Sequence, residues 1–198
     1  MFGAWRGVSA RIEDRLLGVR TESLIVPSAT TFGNDPHLYV PLAYGQARSV
    51  LRRLRITEDD VIVDIGCGLG RVVCLAARSR ASGVIGIECD ETLSLGARAN
   101  VEGLRGRKSP VQIVTGDAVI SDFSKATVII LFNPFGPTSM NAVLRNIGST
   151  LEDNPRHVRF AYVNPTAGAE FESSTWLKSV GRFQSARYRN TVTLWESR

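Results

Sequence analysis

Between Val61 and Val73 the chain reads Val-Ile-Val-Asp64-Ile-Gly66-Cys67-Gly68-Leu-Gly70-Arg71-Val-Val. An apolar, β-branched run carries one carboxylate and then three glycines at every second position. Such a turn, placed between a strand and a helix, lets backbone approach a ligand closely and aims helix N-terminal N–H groups at it. Two ligand classes fail on spacing. No lysine follows Gly70, which excludes the phosphate loop of nucleotide hydrolases. The dinucleotide fingerprint wants its third glycine at position 71, where this chain has Arg71. Asp64 would also repel a pyrophosphate. The same carboxylate suits a ligand that carries positive charge and no phosphate.

A loop of this kind needs a rigid frame, and the hydrophobic pattern supplies one. Buried-type strands are expected at 61–66, 83–88, 111–116, 127–132 and 158–163. Helices are expected at 69–79, 91–103, 138–151 and 169–178 between or after them. Strands alternating with helices predict a parallel sheet covered on both faces, with right-handed connections. Two extended runs at 181–188 and 190–195 read as a closing β-hairpin, so one strand must run antiparallel. Ahead of this α/β unit, a short amphipathic helix is expected at 9–18 and another at 43–54, separated by a polar, proline-punctuated stretch. The organisation is therefore an N-terminal extension or lid, 1–55, and a ligand-binding domain, 56–198.

Composition bounds the function classes. The chain has 198 residues, 43% of them apolar and 22% charged, the balance of an ordinary globular domain. No run of 18 apolar residues occurs, so no transmembrane helix is expected. The first twenty residues lack a continuous apolar stretch and contain Glu13 and Asp14, which argues against a secretory signal. The three cysteines, Cys67, Cys74 and Cys89, are odd in number and form no Cys-x-x-Cys, so reduced thiols and a cytoplasmic setting are expected. The net charge of +5 comes almost wholly from arginine, 21 against 3 lysines. It is densest at 52–55, 105–108 and 182–189. These clusters could form a nucleic-acid surface; the plainer reading is solvated helix faces.

Asp64-Ile-Gly66-Cys67-Gly68-Leu-Gly70 resembles motif I of the class I S-adenosylmethionine (SAM)-dependent methyltransferases. Glu88 ends the second strand 22 residues after Gly66, where that family places an acidic residue on the ribose hydroxyls. Asp117 and Ala118 follow the third strand, where the family contacts adenine. Asn133-Pro134-Phe135 follows the fourth, where many members keep substrate-facing residues. The resemblance covers residues 56–198 and implies a doubly wound, mostly parallel seven-stranded sheet with an antiparallel strand in the C-terminal hairpin. It implies SAM as cofactor, held by Asp64, Gly66, Cys67, Gly68, Gly70, Glu88, Cys89, Asp117, Ala118 and Asn133. The partners it implies are SAM and a methyl acceptor.

Asn133-Pro134-Phe135-Gly136 also resembles the [Asp/Asn/Ser]-Pro-Pro-[aromatic] motif of amino-directed methyltransferases, with the second proline missing. By that resemblance the Asn133 oxygen and the Pro134 carbonyl accept hydrogen bonds from a target amino group, and Phe135 stacks on the substrate. The plain alternative is a strand-ending turn with Asn133 bonded to its own backbone. Tyr39, Tyr44 and Gln46, in the segment entering the second helix, are candidate contacts to cofactor or substrate; packing of a helix-entry loop is the alternative. Tyr39-Val-Pro41 before the motif I loop resembles a small group of protein-lysine methyltransferases. His37 could serve as a base and His157 reads as a strand-end residue. A neutral amine needs little base help, so nitrogen is the expected acceptor atom, on a small molecule or an exposed side chain. Carboxylates are too few beside Asp117 to suggest a metal. No inserted target-recognition domain is present, so nucleic acid is not expected as a partner. A monomer or homodimer and a non-catalytic SAM-binding scaffold both remain open.

Overall fold

The computed structural model describes residues 2–22, 39–184 and 190–198. A helix α1 (Phe2–Leu17) precedes α2 (Tyr44–Arg53). The sheet domain then runs β1 (Val61–Ile65), α3 (Arg71–Ala76), β2 (Gly83–Glu88), α4 (Glu91–Gly103), β3 (Val111–Thr115), β4 (Val128–Phe132), α5 (Pro137–Asp153), β5 (Arg159–Val163), α6 (Gly168–Ser173), β6 (Leu177–Gln184) and β7 (Thr191–Ser197). The seven strands lie in the order β3-β2-β1-β4-β5-β7-β6. All neighbours pair in parallel except β7, which is antiparallel to both β5 and β6. This is the doubly wound sheet with an antiparallel C-terminal hairpin strand.

The central strands are near-continuous apolar runs because both faces are covered. Ile62, Val63 and Ile65 of β1 and all of Val128–Leu131 in β4 are buried. One face packs under α1–α4, through Leu17, Leu42, Ala47, Val50, Val73 and Val101. The other packs under α5 and α6, through Met140, Val143, Ile147 and an aromatic group in which Phe171 meets Phe160 edge-on at 5.7 Å. The first helices thus share a core with the sheet. Strand order reverses between β1 and β4, the place where open α/β sheets bind ligands at the carboxyl ends of their strands.

Several boundaries differ from the expected ones. The first helix starts at Phe2 rather than near residue 9, and α3 spans six residues rather than 69–79. The helix expected over 169–178 stops at Ser173, and β6 is already paired at Leu177, opposite Ser197. Tertiary packing decides this: Leu177 is buried, and the neighbouring Trp176 lies 5.9 Å from the Phe160 ring. A register shift between Ser179 and Gly181 then bends the strand. The expected connection of the hairpin falls partly outside the described residues.

Candidate active site

The alternate glycines of the motif have a backbone cause. Gly66 has φ +72° and Gly68 φ +55°, in the left-handed region that a side chain disfavours. The N–H groups of Gly66 and Cys67 both donate to the Ile87 carbonyl, at 2.9 and 3.0 Å, which folds the loop onto β2. A Cβ on Gly66 would lie 2.8 Å from Pro134, and one on Gly68 would lie 2.2 Å from the Tyr39 ring. The loop is therefore pressed between the β4 turn and the segment that enters α2. Gly70 caps α3.

Asp64 sits in the middle of the sheet, paired opposite Gly86 and Ile130, and is 4% exposed. Burial first, and then the nearby Glu88 carboxylate, push its pKa up to about 7. Among the described residues none donates a hydrogen bond to it, so it is a buried carboxylate without a partner there. Glu88 is differently placed. Its Oε2 accepts the Gly68 N–H at 2.8 Å and its Oε1 the Asp90 N–H at 3.0 Å, so it props the glycine loop from the end of β2. Oε1 also accepts the Cys89 thiol at 3.6 Å, so Oε2 is the oxygen that keeps a lone pair for a further donor. Asp117 accepts the Val119 N–H at 2.8 Å and starts a short 3₁₀ turn, in which Ala118 is buried. Cys67 is buried, and burial holds its thiol well above the ordinary range; Cys89 is exposed, and burial of its sulfur with the adjacent Glu88 pushes it up to about 11. Neither is a thiolate at neutral pH.

At the end of β4, Asn133 adopts φ +46°. Its side-chain oxygen accepts a hydrogen bond from the Thr166 hydroxyl rather than bonding its own backbone. Thr166 belongs to a second turn of the same kind, Asn164-Pro165-Thr166, at the end of the neighbouring strand β5, where Asn164 has φ +53°. The repeated Asn-Pro after two buried runs is the sequence signal for this pair. Pro134 and Phe135 are half-buried beside Gly66 and the α5 face.

The lid residues separate into different roles. The Tyr39 ring lies against Gly68 and its hydroxyl donates to the Thr21 carbonyl at 3.1 Å. Tyr44 is buried away from the loop, with its hydroxyl on Asp14 and its ring 4.5 Å from the Arg71 guanidinium. Gln46 is 1% exposed; its Oε1 accepts from Asn190 at 3.2 Å, and its Nε2 has no partner. His37 lies outside the described residues. His157 lies two residues before β5, at the other end of the sheet, 3.4 Å from Glu196. Among the described residues no group of three or more His, Cys, Asp or Glu side chains could hold a metal.

Arg71, which in the sequence is a mismatch to the dinucleotide pattern, has a structural role that no local sequence signal announces. It is 3% exposed. Its guanidinium donates to Thr21 Oγ1 at 2.7 Å, to the Leu42 carbonyl at 3.1 Å and to Glu22 at 2.6 Å. Asp14 completes the knot by accepting the backbone N–H groups of Thr21 and Glu22 at 2.6 and 2.8 Å. The residue after the last motif glycine thus ties both flanks of the N-terminal segment to the loop.

The comparisons with known proteins agree with this geometry. Residues 14–111 match the family model described as histone methylation protein DOT1. A protein-lysine N-methyltransferase of Saccharolobus islandicus (strain REY15A) is 31% identical over 166 residues, which is 81% of this chain and 94% of that protein. The chain belongs to the class I SAM-dependent methyltransferases. An RNA methyltransferase from Salinibacter ruber, solved with S-adenosyl-L-homocysteine, is 27% identical, with a TM-score of 0.62 over 80% of this chain and 94% of that one. A SAM-dependent methyltransferase from Aquifex aeolicus shares the fold at 13% identity and a TM-score of 0.60, over 77% of this chain and 89% of that one. The methyltransferase uses SAM as its cofactor. The partnerless Asp64 carboxylate beside a left-handed glycine loop fits a ligand with an ammonium group. No helix among the described residues is long and apolar enough to cross a membrane.

The contact between Gly68 and Tyr39 predicts a coupled defect. Gly68→Ala combines a positive-φ penalty of about 1 kcal/mol with displacement of the ring. SAM affinity, read by calorimetry, is expected to fall at least about tenfold, and the added loss should shrink in a Tyr39→Ala background.

Proposed function

We propose that this methyltransferase transfers the methyl group of SAM to the side-chain nitrogen of a lysine on a protein. The observation that carries the reading is the carboxamide of Asn133, fixed by Thr166 at the end of β4, with no histidine among the described residues beside it. A carboxamide oxygen can accept an N–H from an amine and orient its lone pair, but it is too weak a base to activate an alcohol. The name of the Saccharolobus relative, which spans nearly its whole length, supports lysine as the acceptor.

When bound, SAM supplies the electrophilic methyl on its sulfonium, so the protein mainly positions and desolvates. In this reading Asp64 pairs with the ammonium group. Glu88, already holding the loop through Gly68, takes the ribose hydroxyls. Asp117 and Ala118 flank the adenine, and Gly66, Cys67, Gly68, Gly70 and Cys89 shape the cavity wall. Asn133 and the Pro134 carbonyl hold the acceptor amine, and Phe135 packs along its aliphatic stem. Tyr39 closes over Gly68 as the residue of the 1–55 extension that acts on the 56–198 domain. Gln46, with its unpartnered Nε2, is the further polar contact from that side. The three unpaired cysteines suit a cytoplasmic protein.

The nucleophile must be the neutral amine, whose ordinary pKa is about 10.4. With no histidine base among the described residues of the site, kcat/KM for a lysine peptide is expected to rise about tenfold per pH unit from pH 7 to 9. Asn133→Gly keeps the left-handed backbone and removes the carboxamide. It is expected to lower kcat by about 10- to 100-fold with a smaller effect on SAM affinity. A pH-independent rate, or an Asn133→Gly variant as fast as the parent, would sink the lysine mechanism.

A further inference from the structure

The arginine clusters that the sequence scatters along the chain meet in three dimensions, at the pole opposite the methyl-transfer site. Arg55 lies just past α2, and its carbonyl accepts from Arg159 at the start of β5. Lys108 and Ser109, leading into β3, donate their N–H groups to the Ala77 carbonyl at the far end of α3. These contacts place both segments at the amino ends of the strands. Gly66 and Asn133 lie at the carboxyl ends, about 16 Å away for a five-residue strand.

The pieces are contiguous. Arg52, Arg55 and Arg78 rim a shallow groove of about 400 Å³ floored by Leu51, Ile56, Leu75 and Ala76. Arg78 donates to the Arg105 carbonyl at 2.6 Å, and Arg105 donates to the Arg15 carbonyl at 3.4 Å. Arg107 and Lys108 follow on the same loop, Arg80 follows Arg78, and Arg11 stands one turn before Arg15 on α1. These nine side chains are all exposed. The exposed acids among the basic side chains of this track are Glu58, Asp59 and Glu102, of which Glu58 lies 3.9 Å from Arg80; Asp122, Glu152 and Asp153 stand at the same pole beyond it, before β4 and at the end of α5. Counted with those three acids the track carries a formal +6, and the fifteen basic and sixteen acidic residues of the remainder carry −1.

We propose that this track is a docking surface for the phosphate backbone of duplex nucleic acid. Arginine forks match phosphate oxygens, and a track of them with few interleaved acids fits a polymer of regularly spaced anions better than one acidic side chain. No aromatic ring among the described residues lines the groove, so these residues offer no stacking platform for unpaired bases. Binding is therefore to the backbone of a duplex, independent of base sequence. The sequence reading set nucleic acid aside as a partner; the convergence of separate clusters on one face revises that for docking. The methyl-transfer site faces away, so the duplex is a platform rather than an acceptor. This surface stands independently of the identity of the acceptor.

The test is fluorescence anisotropy of the full chain with a labelled random-sequence duplex DNA of about 25 base pairs, across a salt series. Five or six phosphate contacts give a slope of log affinity against log salt of about −5. The triple variant Arg52→Gln, Arg107→Gln, Lys108→Gln removes three exposed charges whose side chains have no hydrogen-bond partner among the described residues. It should lower the slope by about three and weaken binding at 0.1 M salt at least about tenfold. Thermal unfolding and SAM binding should be unchanged. Three results overturn the proposal: no binding at 0.05 M salt, a triple variant that binds like the parent, or tighter binding to anionic lipid vesicles than to duplex.

Discussion

Asp64→Asn should raise thermal stability above pH 7 while lowering SAM affinity about 10- to 100-fold, two effects of opposite sign from one atom. The carboxylate is buried with no donor and with Glu88 nearby, so the folded protein holds it protonated up to about pH 7. An unfolded chain releases that proton near pH 4. The folded pKa is the higher one. The stability tied to this proton is therefore fully present below about pH 4 and is lost as pH rises through about 7. Asparagine never ionises, so the loss disappears. In the proposed complex the cationic ammonium of SAM pairs with ionised Asp64, and a charge-assisted hydrogen bond of this kind is worth about 1.5–3 kcal/mol. The parent should bind SAM about tenfold more weakly per pH unit below 7 and release a proton on binding there. The variant should bind weakly with a flat profile. Calorimetry in buffers of different ionisation enthalpy, together with melting curves at pH 5 and pH 8, reads all of these. A parent whose SAM affinity is level from pH 5 to 8 would remove Asp64 from the ammonium site.

The second large effect is at Arg71. Arg71→Met is expected to destabilise the fold by about 3–5 kcal/mol, because it leaves Glu22, Thr21 and the Leu42 carbonyl facing a buried gap. For a chain of this size that is roughly 10 °C in Tm. Arg71→Lys should not restore it: a single ammonium cannot reproduce a planar fork that reaches three groups and lies against the Tyr44 ring. SAM affinity should fall with stability, since Thr21 also holds the Tyr39 hydroxyl over Gly68. Melting curves of the three proteins decide it. A loss below about 1 kcal/mol in Arg71→Met would show that the knot contributes little. Intact SAM binding in a folded Arg71→Met protein would show that it does not position Tyr39.

The sheet was legible because its strands are buried on both faces. Runs such as Val128–Phe132 have one reading at that length, and the glycine spacing fixed where the first strand had to end. The stretch near Trp176 was not legible, because its local pattern serves a helix or a strand and only packing against Phe160 chooses. Arg71 was opaque for another reason. Its partners lie 29 to 50 residues away, and nothing local distinguishes a buried guanidinium from a solvated one. The Thr166 contact to Asn133 is likewise set by strand adjacency, although the recurring Asn-Pro could have drawn attention to it. The arginine clusters were visible singly, but their common face depends on how α1, α3 and the loop before β3 come together.

The most direct measurement of the central claim is the site of the transferred methyl. Purified protein is incubated with methyl-labelled SAM and an extract of its source cells, and the labelled products are separated and mapped by mass spectrometry. Half of the extract is first treated to block its lysine amines, and Asp64→Ala serves as control. The account predicts label on lysine side chains of proteins, absent from the blocked extract and from the variant. Label that persists after lysine blocking, or that appears in nucleic acid, would contradict it.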